Sequence, residues 1–75
     1  MNNTVHGPER LSSSIMTALQ HLIRGLDDES MAERMGLTVE AIHHMLDEAA
    51  EAFQVETLVH LSVAARIWLD ARETH

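Results

Sequence analysis

The sequence predicts an all-α domain, and three observations carry that expectation. Apolar residues recur at intervals of three and four through most of the chain. Serine, threonine or aspartate stands just ahead of each such stretch, where a side-chain oxygen can cap a helix. Glycines follow the first two stretches directly, where a left-handed residue ends a helix.

The elements follow in order. Met1 to Arg10 reads as a flexible arm punctuated by Gly7-Pro8. The first helix runs from about Ser13 to Arg24, capped by Ser12 or Ser13, with Met16, Leu19, Leu22 and Ile23 as its inner stripe and Gly25 after it. The second spans Glu29 to Met35 after an Asp27-Asp28 cap, turns Met31, Ala32 and Met35 inward, and ends at Gly36. The third follows Thr38 and reaches Phe53, with Ile42, Leu46, Ala49 or Ala50, and Phe53 inside and Glu40, His43, His44, Asp47, Glu48 and Glu51 outside. The fourth follows Thr57 and runs to about Ala71. The domain is thus residues 11–71, between the arm at 1–10 and a tail at 72–75.

The fourth helix differs from the others. Leu58, Val59, Leu61, Val63, Ala64, Ala65, Ile67, Trp68 and Leu69 cover more than one stripe, and a helix apolar on two sides must bury both. A chain of 75 residues encloses such a helix with difficulty. A homodimer through this helix is therefore expected, with Leu58, Leu61, Ala65, Trp68 and Leu69 at the interface and an exposed Trp68 as anchor.

Bulk composition excludes several classes. Twelve acids face five arginines and no lysine, a net charge of −7, so polyanions and anionic membranes are repelled at long range. A 45% hydrophobic content argues against disorder. Without cysteine there is neither a disulfide nor a thiolate metal site. The arm has no apolar run to serve as a signal peptide. The stretch Leu58 to Leu69, broken by His60, Ser62 and Arg66, is too short and polar to span a membrane. A cytoplasmic location is expected.

No constellation supports catalysis, and an enzyme is not expected. Ser12-Ser13-Ser14 has no arguable base and reads as a helix start. The five methionines read as core filler. His43 with Asp47, and His44 with Glu48, stand four apart. That spacing can hold a divalent metal but more often reflects weak contacts between solvated residues. The second reading is taken, so no metal or other cofactor is assigned. Because histidine gains charge on mild acidification, the pair would also act as a pH-sensitive patch that strengthens nucleic-acid binding as pH falls.

The segment Met31-Ala32-Glu33-Arg34-Met35-Gly36-Leu37-Thr38 has a short helix, a glycine stop, an apolar plug at Leu37 and a threonine cap. It resembles the "IAERLGIS" stretch of LuxR-type (GerE-like) helix-turn-helix regulators. The resemblance runs without a gap from Leu11 to Leu69. Leu11-Ser12 resembles the opening "LT". Ala18-Leu19, Leu22 and Gly25-Leu26 resemble the first helix and its turn, Ile42 the valine of "TV", and Phe53 and Val55 the closing "L-x-V". It implies a four-helix LuxR/GerE-type helix-turn-helix domain, with the third helix in the DNA major groove and the fourth often forming a dimer.

The departures gather at the positions that would touch DNA. Where the family usually has lysine or asparagine after the third cap stands Glu40; the threonine and lysine of "TVK" are Ala41 and His43. The lysine of "KL" is Ala52, the glycine of "LGV" is Gln54, and a frequent lysine after the first turn is Glu29. The arginine opening the fourth helix is Leu58, and the "RE" pair of the first helix is Ser14-Ile15. The recognition face would be Thr38, Glu40, His43, His44, Asp47 and Glu51. From Thr38 to Gln54 no lysine or arginine offsets Glu40, Asp47, Glu48 and Glu51. Phosphate contacts by lysine and arginine supply most non-specific DNA affinity, and base reading uses arginine, lysine, asparagine or glutamine.

The expected function is therefore a small transcription-regulation protein that acts by dimerisation and protein–protein interaction. Its partner would be a related regulator or a basic surface. The alternative is a sequence-specific DNA-binding factor with unusual readout, using Arg10, Arg24 and Arg34 on phosphates. With no sensing domain beside it, control by a small molecule is not expected.

Overall fold

The computed structural model describes residues 8–73, apart from the side chains at positions 9 and 73. These residues form α1 (Ser13–Ile23), α2 (Asp28–Met35), α3 (Val39–Phe53) and α4 (Leu58–Glu73), preceded by a 3-10 turn at Pro8–Arg10. No strand occurs among the described residues. The rest of the expected arm, and the end of the expected tail, lie outside the described residues.

Each helix starts where its sequence supplies an oxygen. The Ile15 N–H donates to Ser12 Oγ at 3.2 Å, Ser30 N–H to Asp27 Oδ1 at 2.8 Å, Ala41 N–H to Thr38 Oγ1 at 3.0 Å and His60 N–H to Thr57 Oγ1 at 3.1 Å. Such bonds satisfy backbone donors that have no partner within the helix. The Asp27 carboxyl is held below its ordinary value of 3.8, first by the Ser30 N–H and then by the Ser30 hydroxyl. Because the folded value is the lower one, this cap stabilises the fold above the ordinary value and is lost as pH falls through the folded value. Asp27→Asn keeps a capping oxygen but removes the titration. The stability difference between parent and variant, read from urea midpoints, should move against the parent as pH is taken from neutral to below 3.8.

Helix ends follow the same logic. Gly36 closes α2 at φ 68°, a left-handed conformation that glycine adopts without steric cost. Gln54 closes α3 in the same conformation, φ 59° and ψ 45°, and donates to the Ala50 and Glu51 carbonyls. A residue with a Cβ is strained there. Gln54→Gly should raise stability by about 0.5–1 kcal/mol, the relief of strain less glycine's greater freedom when unfolded, seen as a thermal midpoint a few degrees higher.

The core lies where α1 meets α3 and α4. Ile15, Ala18 and Leu19 from α1, Met31 and Ala32 from α2, Ile42, Leu46 and Ala49 from α3, and Leu61 and Ala65 from α4 are buried together. Two expectations need correction. α1 faces the core through Ile15, Ala18 and Leu19, while Met16, Leu22 and Ile23 are half-buried around it. Leu37 does not plug the turn between α2 and α3: it is exposed, and its N–H bonds to the Ala32 carbonyl, which closes α2. Position 15, where the resemblance implies an acid, holds a buried isoleucine.

Candidate functional site

Two surfaces stand out, one anionic and one apolar. Three residues separate α3 from the end of α2, and Ile42, Leu46 and Ala49 press the inner face of α3 into the core. Helical period then turns the intervening residues outward. Glu40, His43, His44, Asp47, Glu48 and Glu51 are all exposed, as is the cap Thr38. No cation lies on α3 to offset the acids. Only His43 is tied to another element: its Nε2 sits 2.6 Å from Asp28 Oδ2, joining the outer faces of α2 and α3. His43 thus meets an acid fifteen residues away, not Asp47 one turn along. Among the described residues no three histidine or acid side chains converge as a metal site would require.

The phosphate-contact candidates Arg10, Arg24 and Arg34 are exposed. Arg24 caps the C-terminus of α1, and Arg34 lies in the last turn of α2.

No family model, curated protein or solved structure matches this chain.

α4 carries the apolar surface, but not on the residues expected. Leu61 and Ala65 are fully buried in the chain's own core, so neither can meet a second molecule. Trp68 is not a free anchor. It is half-buried, edge-on to Phe53 with ring centroids 5.8 Å apart and planes at 84°. Its face is covered by the Arg72 guanidinium, 4.7 Å from the ring centroid, a cation–π contact. Leu69 is half-buried; of the five expected residues only Leu58 is exposed. The free stripe is Val59, Val63 and Ile67, which keep 72%, 54% and 65% of their surface exposed, flanked by Leu58. Two residues along a helix turn about 200°, so Val63 must stand opposite Leu61. The sequence shows that α4 is apolar on two sides; assigning sides requires knowing which one carries the small Ala65 that lets the helix approach the core.

No helix among the described residues is long and apolar enough to cross a membrane.

Proposed function

We propose that this chain is a small regulatory interaction protein on a LuxR-type helix-turn-helix scaffold, which pairs with a second copy through α4 and keeps duplex DNA away from α3. The anionic outer face of α3 carries the reading. A helix meant for the major groove approaches two phosphate strands, and four exposed acids without a lysine or arginine on that helix oppose the approach. A basic protein surface is the complementary partner.

Other features support the scaffold. α2 and α3 are joined by Gly36-Leu37-Thr38, with the glycine left-handed and the threonine capping α3. Gln54 has a glycine-like backbone at the position where the resemblance implies glycine. Val59, Val63 and Ile67 supply the unpartnered face that pairing requires.

DNA binding through phosphates alone is the second reading, favoured by the exposure of Arg10, Arg24 and Arg34. Titration of a short duplex at low salt separates the two. The interaction protein should give no complex, whereas phosphate binding should give one that weakens steeply with added salt.

A further inference from the structure

A cleft between α1 and α4 belongs to neither the anionic α3 face nor the apolar α4 stripe. The C-terminal end of α1 and the later part of α4 border an open hollow of about 460 Å3, within the rough 300–1,000 Å3 range of small-ligand sites. Gln20, His21 and Arg24 line it from α1, Arg66 and Asp70 from α4. Ile23 and Leu69 add apolar walls.

The charge in this cleft runs against that of the chain. Acids outnumber arginines twelve to five overall, yet two of the arginines line one hollow. Neither Arg24 nor Arg66 has a carboxylate partner among the described residues, although Asp70 lies in the same wall. Asp70 can offset only one of the two guanidinium charges lining the cleft, and an anion bound there offsets the other. His21 lies in the same wall, but its Nδ1 is buried with no hydrogen-bond partner among the described residues and is closed to a ligand in the cleft.

We infer that this cleft binds a small organic phosphate. Guanidinium forks suit both carboxylate and phosphate oxygens. Two guanidinium forks and the Gln20 amide offer more donors than the two oxygens of a carboxylate readily use, and they suit the three terminal oxygens of a phosphate monoester. Asp70 bears on the rest of the ligand. Its carboxylate accepts from a hydroxyl or amino group, and it opposes a polyanion such as a nucleic-acid backbone. Such a site brings small-molecule binding to a chain whose sequence gives no reason to expect it.

The test is a titration of the isotope-labelled full chain with pyrophosphate, followed by NMR. Saturable shifts are expected at the amides of residues 20–24 and 66–70 and at the Nε groups of Arg24 and Arg66. Arg24→Gln with Arg66→Gln should weaken binding about tenfold or more, as loss of charge-assisted hydrogen bonds does. Arg10→Gln with Arg34→Gln, at exposed positions outside the cleft lining, removes the same charge and should change it by no more than about twofold, since a surface charge outside the site acts weakly through solvent. The single variant Arg66→Gln, at an exposed position, preserves the test if the double variant fails to fold. Shifts that never saturate, or that weaken equally in both double variants, overturn the site. Succinate binding as tightly as pyrophosphate overturns the phosphate assignment, and a short duplex moving the same amides overturns the small-ligand assignment.

Discussion

Leu61→Ala should cost the fold about 3 kcal/mol, while Ile67→Ser, six residues further along the same helix, should leave the monomer within about 0.5 kcal/mol of the parent. The first figure follows from burial. Leu61 is fully enclosed among residues of α1, α3 and α4, and truncating it removes transfer free energy and leaves a cavity. A domain of 75 residues has roughly 4–11 kcal/mol to lose, at about 0.05–0.15 kcal/mol per residue, so a large part of its stability goes with one side chain. Ile67 is mostly exposed, and isoleucine and serine have similar helix propensities, so the second change touches little in the monomer. Its effect belongs to association. If α4 pairs through Val59, Val63 and Ile67, the parent's urea midpoint rises with protein concentration, and Ile67→Ser abolishes that dependence and gives a monomer in sedimentation velocity. A parent that stays monomeric at high concentration would end the pairing proposal without affecting the core assignment.

The contrast between these two residues marks where sequence reading stops. Helix starts were legible because a cap is a local event: Ser12, Asp27, Thr38 and Thr57 each bond a donor three residues on. The stop at Gly36 was legible for the same reason, and the inner face of α3 because its apolar residues fall on one side only. The two sides of α4 were not, because both are apolar and periodicity cannot rank them. Only packing decides, and it places Leu61 and Ala65 inside and Val63 and Ile67 outside. α1 posed the same ambiguity, with Met16 and Ile23 competing against Ile15 and Ala18 for the core. The contact between His43 and Asp28 escaped for another reason. It crosses from α3 to α2, and a search for pairs four apart within one helix cannot see it. The cleft of Arg24 and Arg66 likewise joins residues far apart in the chain. The anionic face of α3, by contrast, needed no tertiary information, since its acids and its inner stripe alternate along one helix.

That face supports the second large effect. Glu40→Lys with His43→Lys should give the chain duplex-DNA affinity that the parent lacks, by about tenfold or more at low salt, with a salt slope approaching −0.9 for each phosphate neutralised. Both positions are exposed near the start of α3, the end that contacts base edges in helix-turn-helix complexes. The fold should tolerate the change at modest cost. Lysine in the first turn of α3 opposes the helix dipole that Glu40 suits, at about 0.3–1 kcal/mol. Lysine at position 43 places a cation opposite Asp28, where the histidine now sits. The outcome separates two reasons for not binding DNA. If α3 is presented as the proposed scaffold would present it, the acids alone block the duplex and replacing them allows binding. If the variant folds, as circular dichroism would show, yet gains nothing, then α3 is not placed for a groove and the helix-turn-helix proposal fails with it. Tight binding by the parent at physiological ionic strength would refute the argument from the other side, because four unopposed acids would then be facing a polyanion at no cost.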